Sequence, residues 1–329
     1  MTKTLMTQNF EKLEQLKNII RSYQSVLVAF SGGVDSAFVL KVARDVLGRD
    51  LVKAVTAQSE SVSERELEAA KELAYELDVE HRVIQTHELQ NADYKANPMN
   101  RCYFCKTELY EHLLPIAKEW KLETIANGTN LDDLGDFRPG LAAADEHGIK
   151  SPLVEAGLTK SDIRNLSRVL GLRVWDKPAE PCLSSRFPYG YEITPEKLKQ
   201  VEAGENFLKD LGFKVVRLRH FGAKARLELG RSEFVRMMDV ELRVQITEFI
   251  RSLGFKTVIF EPYRSGTLNR EIQQEPSLQN VIPARFKRES PSSRGQVYGS
   301  PIKTFGDDRK TLPHPLRGPV EGNDVDPKL

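Results

Sequence analysis

Two kinds of short motif in this chain have residue types and spacings that can do chemistry. The first is Ser31-Gly32-Gly33-Val34-Asp35-Ser36, directly after the apolar run at residues 26–30. Glycines let a backbone turn tightly against a ligand, and N–H groups at a helix start point toward negative charge. Ser31 and Ser36 add hydroxyls for phosphate oxygens, and Asp35 a carboxylate for Mg²⁺. The loop lacks the Gly-Lys-Ser/Thr ending of a Walker A loop and the wider spacing of a dinucleotide fingerprint. Without that lysine, holding the β- and γ-phosphates as a departing pyrophosphate is more sensible than transferring the γ-phosphoryl. A bare Gly-Gly pair would be an ordinary strand-to-helix turn; the hydroxyls and carboxylate around this one point to a phosphate-binding loop.

The second kind is the cysteines, of which the chain has three. Arg101-Cys102-Tyr103-Phe104-Cys105-Lys106 opens a helical pattern, and Cys182 stands in Pro181-Cys182-Leu183-Ser184-Ser185-Arg186-Phe187-Pro188-Tyr189-Gly190. A Cys-x-x-Cys pair can place two thiolates on one metal centre, and a third from elsewhere completes a three-point mount. Structural zinc usually takes a fourth protein ligand, whereas a [4Fe–4S] cluster on three cysteines keeps one iron open for an external sulfide. The plainer alternative is three unrelated cysteines acting as small hydrophobes. Arg101 and Lys106 flank the pair, where they can neutralise thiolate or phosphate charge or serve as ordinary structural cations.

These motifs need elements to carry them. Helical periodicity at 11–20 leads into a strand at 26–30, a helix at 36–47 and a strand at 51–57. A helix follows at 63–77, where Ser63-x-x-Glu66 reads as a capping box, then a strand at 80–85. A helix at 106–120, a strand at 123–127 and a helix at 161–170 complete an alternating order that implies an α/β domain with a parallel sheet. Loops at the carboxyl ends of such strands are where open sheets bind ligands, which draws attention to Ala57-Gln58-Ser59 and Asn127-Gly128-Thr129-Asn130-Leu131-Asp132-Asp133. Thr194-Pro195-Glu196 is a strong helix start. It opens a small α+β unit with strands at 214–219 and 225–229, a helix at 233–253 and a strand at 256–260. The division expected is 1–190, 191–275, and a tail at 276–329.

That tail holds eight of the 17 prolines and nine basic against six acidic side chains. It is too poor in apolar periodicity to offset its ordering entropy. The remaining 275 residues carry 39 basic and 41 acidic groups within a chain of net charge +1, so nothing marks a nucleic-acid binder. No apolar run approaches the roughly 20 residues of a membrane helix, and no secretory leader is evident, so a cytoplasmic protein is expected.

The glycine loop with its two supporting loops resembles the PP-loop ATP pyrophosphatase superfamily, whose members adenylate a carboxylate or carbonyl oxygen and release pyrophosphate. Adding Cys102, Cys105, the Cys182-to-Gly190 stretch and Tyr263-Arg264-Ser265-Gly266 narrows the likeness. Over residues 10–272 the chain resembles the LarE-type ATP-dependent sulfur transferases of nickel-pincer nucleotide synthesis. The resemblance implies ATP and Mg²⁺ bound through Ser31, Gly32, Gly33, Asp35, Ser36, Ser59, Gly128 and Asp133. It implies adenylation and thiolation of pyridinium-3,5-biscarboxylic acid mononucleotide, a sulfide source and a homo-oligomer. Cys182 matches the cysteine beside the substrate, and Glu205, within Glu202-Ala-Gly-Glu205, matches a family site residue. Arg186, Arg217 and Arg264 are candidates for the substrate phosphate, because a guanidinium binds phosphate oxygens bidentately.

In the family, relatives with the counterpart of Cys182 alone sacrifice its sulfur and retain dehydroalanine; with Cys102 and Cys105 added, this chain resembles the three-cysteine branch, which implies a [4Fe–4S] cluster carrying an extra sulfide. Sacrificial donation from Cys182 is the alternative source. A tRNA thiolase would need a basic face that the composition lacks, and a non-catalytic nucleotide binder with structural zinc is the remaining rival.

Overall fold

Val26, Leu27 and Val28 alternate between two apolar surroundings, and that alternation dictates a sheet covered on both faces. Val26 and Val28 pack with the core of α1 (Lys3–Ser22) and α2 (Val34–Leu47), whereas Leu27 packs with that of α5 (Arg101–Glu119). The computed structural model describes residues 3–135 and 139–264. The proline-rich tail and Ser265-Gly266 of the last motif lie outside the described residues. Among the described residues, no helix is long and apolar enough to cross a membrane.

The central strand β1 (Val26–Ala29) pairs in parallel with β2 (Val52–Gln58) and β4 (Thr124–Ala126), and β2 with β3 (Glu80–Gln85), giving the order β3-β2-β1-β4. Between these strands come α2, α3 (Glu64–Glu76), the short α4 (Ala92–Lys95) and α5. After β4 follow α6 (Gly140–Glu146), α7 (Pro152–Glu155) and α8 (Lys160–Val169). Because all four strands are parallel, their carboxyl ends share one edge, and every motif loop of this unit leaves from there. The α/β expectation holds.

The second sheet has the order β5-β6-β7, from β5 (Val216–Phe221), β6 (Lys224–Leu229) and β7 (Thr257–Pro262); β5 is antiparallel and β7 parallel to β6. Val216, Leu218, Ala225 and Leu227 meet residues of α9 (Pro195–Asp210) and α10 (Val240–Ser252) in a second core. Gly204 lets α9 approach the sheet, because a Cβ there would lie 2.3 Å from Leu218 Cδ1. Tyr94, Leu183 and Phe187 belong to this second core, so the Cys182 segment is packed from the second unit.

Three local expectations are corrected. The Ser63–Glu66 capping box does not form: Ser63 makes no cap bond, and Glu66 instead pairs with Lys177 at 2.7 Å. The Glu64 N–H donates to Glu202 of α9 at 2.7 Å, so the start of α3 is capped from another element. The helix expected at 233–253 is broken, because Asp239 adopts an extended backbone and its carboxylate caps Leu242 at 3.1 Å. Helix α5 begins at Arg101 and takes both of its cysteines into its first turns.

Candidate active site

The glycine loop is stitched by its own hydroxyls. The Ser31 N–H donates to Ser36 Oγ at 3.2 Å, the two hydroxyls lie 3.1 Å apart, and Ser36 Oγ donates to the Gly33 carbonyl at 3.2 Å. Gly32 has φ +70°, and a Cβ there would stand 2.9 Å from Ala70 Cβ of α3. Gly128, after β4, crosses the start of α2 so closely that a Cβ would be 2.6 Å from the Ser36 nitrogen. Glycine is required at both positions, one for its conformation and one for the close approach. Gly33 is the N-cap of α2, leaving the helix's opening N–H groups toward the loop.

Asp35 pairs with Lys160 through one oxygen, while Oδ1 is buried with no partner among the described residues. Burial pushes its carboxyl above the ordinary value, Lys160 opposes that, and the negative charge of Asp133 adds to it. An unmatched carboxylate oxygen beside a phosphate-binding loop suits a hard cation. Asp133 accepts from the Asn130 N–H at 3.1 Å and shapes the loop after β4. Ser59 donates to Glu88 at 2.6 Å and accepts from the Ser61 N–H at 3.2 Å, so its hydroxyl holds the turn after β2.

A cavity of about 490 Å³ runs from Phe30 and Ser31 past Ser59 and Glu88 to Cys102, Cys105 and Cys182, and on to Glu205 and Lys209 of α9. Cys102 and Cys105 come from the first turns of α5; Cys182 precedes the 3₁₀ turn Leu183–Arg186. No disulfide joins them, and Cys102 and Cys182 are exposed. The Cys105 thiol is pushed up, first by burial and then by the charge of Glu88. Burial works against the Lys106 ammonium, but Tyr110 and the three thiols hold its pKa above the usual lysine value. Among the described residues, no three His, Cys, Asp or Glu side chains are placed to share one metal ion.

Glu205 and Arg186 are both buried and bound to each other through two bonds of 2.8 Å. Glu205 also accepts from the Leu218 N–H at 2.9 Å. Burial alone would raise its carboxyl pKa; Arg186 outweighs that and holds it below the ordinary value. Arg186 spends its remaining donors on the Pro181 carbonyl at 2.6 Å, the Cys182 carbonyl at 3.3 Å and Ser185 Oγ at 3.0 Å. Its guanidinium therefore braces the Cys182 segment. Arg217 is likewise buried, bonded to the Ala179 carbonyl and to Glu180 at 3.3 Å. Arg264 is exposed just beyond β7.

Sequence reasoning missed Glu88, Tyr94, Asn97, Glu180 and Lys209. Asn97 has φ +53° and donates to the Pro188 carbonyl at 2.8 Å, while its own carbonyl oxygen Oδ1 accepts from Arg101. Lys209 follows Glu202 and Glu205 at helical spacing on α9, and that signal was available. Tyr94 and Glu88 sit in short turns without periodicity, and nothing local marked them.

The NAD synthase family model matches residues 10–102. An uncharacterised protein of Synechocystis is 46% identical over 262 residues, covering 79% of this chain and 97% of that protein. The pyridinium-3,5-bisthiocarboxylic acid mononucleotide synthase of Lactiplantibacillus plantarum is 39% identical over 268 residues, 81% of this chain and 95% of the synthase. An uncharacterised protein of Methanocaldococcus jannaschii is 29% identical over 260 residues, 78% of this chain and 98% of its own. Likeness along nearly the whole synthase takes in both units, whereas the NAD synthase match ends at the first cysteine. With a glycine loop of this build opening onto Cys182, the chain belongs to the LarE-type family of ATP-dependent sulfur transferases.

Proposed function

We propose that the chain uses ATP to adenylate a carboxylate of pyridinium-3,5-biscarboxylic acid mononucleotide and then replaces the activated oxygen with sulfur, twice, to give the bisthiocarboxylic acid mononucleotide. The observation that carries this reading is the single cavity that joins the glycine loop to three thiols. A carboxylate oxygen is a poor leaving group, so it attacks the α-phosphorus of ATP and pyrophosphate departs. Hydrosulfide then displaces AMP from the acyl carbon, and a proton is released.

In this reading Ser31, Gly32, Gly33 and Ser36 hold the departing phosphates, with Gly128 and Asp133 shaping the wall behind them. The unmatched oxygen of Asp35 is the proposed Mg²⁺ ligand. Lys106 and Lys209 line the cavity and are the direct cationic contacts to an anionic substrate. Arg186 and Arg217 serve it through the wall they brace, with Glu205 at its centre, and Arg264 remains a proposed phosphate contact. Residues 1–190 thus carry the ATP chemistry, and 191–275 close the substrate side.

Cys102, Cys105 and Cys182 are the proposed ligands of a [4Fe–4S] cluster. Zinc draws its ligands to about 2.0–2.3 Å around one point, and among the described residues no three donors are placed to do that. Three thiols facing one cavity, with the buried cation Arg101 and with Lys106 beside them, suit a larger polynuclear group. Bound there, such a cluster supplies an open iron for an external sulfide. Assembly as a homo-oligomer is part of the same proposal.

The test is anaerobic incubation with ATP, Mg²⁺, the biscarboxylic mononucleotide and sulfide, followed by mass measurement of product and protein. The expected result is a product that has gained sulfur and a protein of unchanged mass. Protein loss equal to H₂S would transfer the donor role to Cys182 itself, and release of orthophosphate alone would overturn the proposal. Cys102→Ala is expected to lose iron, labile sulfide and multiple turnover while still binding ATP.

A further inference from the structure

Tyr94 lies in α4, between the ATP-binding edge and the cysteine helix, and it is fully buried. Its phenol is 2.9 Å from Ser61 Oγ and 2.8 Å from Ser184 Oγ, and those two hydroxyls are 2.9 Å apart. Three hydroxyls at mutual bonding distance form a closed ring in which each donates once and accepts once. Each member comes from a different part of the chain. Ser61 follows β2, Tyr94 is in α4, and Ser184 lies two residues after Cys182. The backbone adds to the ring, because the Leu183 N–H donates to the Ser61 carbonyl at 2.8 Å.

The same short stretch grips the far end of the Cys182 segment. The Gly190 N–H donates to the Asn97 carbonyl at 2.9 Å, and the Asn97 side chain reaches Pro188 at 2.8 Å. Four residues on, Arg101 begins the helix that carries Cys102 and Cys105. Residues 94–101 therefore hold both ends of the Cys182 segment and lead directly into the other two thiols. We propose that Tyr94 is a positioning residue for Cys182, its hydroxyl ring with Ser61 and Ser184 setting where that thiol stands relative to Cys102 and Cys105. Phenylalanine would fill the same space in the second core, so packing alone does not account for a phenol here; the ring does.

This inference rests on the reading of Cys182 as a working thiol, and its test separates the two. In the full chain freed of metal, a bismaleimide of fixed span joins Cys102 to Cys182, and the yield is read by mass. Tyr94→Phe is expected to lower that yield about fivefold while circular dichroism stays native, as misplacement by about 1 Å already matters at reacting groups. Ser184→Ala, which opens the ring from the other side, should do the same and decides the matter if Tyr94→Phe fails to fold. In turnover, Tyr94→Phe should lower kcat about tenfold with the KM for ATP unchanged. Wild-type cross-linking yields in both variants would overturn the proposal. Because the cross-link is formed without ATP or substrate, a failure of sulfur transfer in the wild type leaves its outcome standing.

Discussion

At the scale of single residues, the decisive contact is the buried fork between Arg186 and Glu205. Both side chains are almost wholly removed from water, at 1% and 3% exposure, where an unmatched charge is costly. Glu205→Ala leaves the guanidinium uncompensated and should cost about 3–5 kcal/mol in urea denaturation. A loss below about 1 kcal/mol would show that water or Glu180 replaces the carboxylate. Because Glu205 titrates below the ordinary carboxylate value, its contribution is present above that value and disappears as the pH falls through the lowered one. Both residues were legible as site candidates, but not as each other's partner. Side-chain type says that a guanidinium seeks an anion; only the fold decides whether that anion is a substrate phosphate or a neighbouring helix's glutamate.

At the scale of elements, helix starts show which local signals survive in three dimensions. Thr159 and Asp162 form a reciprocal capping box at α8, with the Thr159 side chain accepting from the Asp162 N–H at 3.2 Å. Ser63, with the same type of sequence signal, has its hydroxyl buried and without a bond among the described residues. Thr159→Ala should therefore destabilise the protein by about 1 kcal/mol, whereas Ser63→Ala should change it by a few tenths at most. Equal losses in a thermal or urea series would contradict the assignment. The strands at 80–85 and 225–229 were legible almost to the residue, because apolar spacing and turn signals agree there. The break at Asp239 and the short helices α4, α6 and α7 were not, since brief turns carry too little periodicity to separate from loop.

At the scale of the whole molecule, the second core contains a histidine that ties the Cys182 segment to the small sheet. His220 stacks on Phe187 with ring centroids 5.0 Å apart, donates from Nε2 to Gln200 Oε1 at 3.1 Å, and accepts from the Gly222 N–H at 3.2 Å. Since that N–H occupies Nδ1, the ring donates from Nε2. Burial, with Lys197 adding to it, lowers its pKa from 6.5 to about 4. The unfolded chain thus takes up a proton that the folded one refuses, so stability should fall as pH drops from about 6.5 toward 4, by roughly 3 kcal/mol in all. Urea midpoints at pH 7 and pH 4.5 check this, and His220→Gln should flatten the dependence. An equally steep fall in that variant would assign the effect to other groups.

The amino-acid sequence by itself determined the parallel sheet, the glycine loop, the three cysteines and the order in which they occur, because periodicity, turn chemistry and ligand type are local properties. Gly32 and Gly128 could be read as loop glycines, but the bodies they must clear, Ala70 and Ser36, were invisible. Tertiary structure alone decided that the loop and the thiols open into one cavity, that Arg186 and Arg217 are spent on internal partners, and that Tyr94 closes a ring around the Cys182 segment. Those outcomes depend on contacts between residues far apart in the chain, and burial then selects among partners that are chemically equivalent on paper.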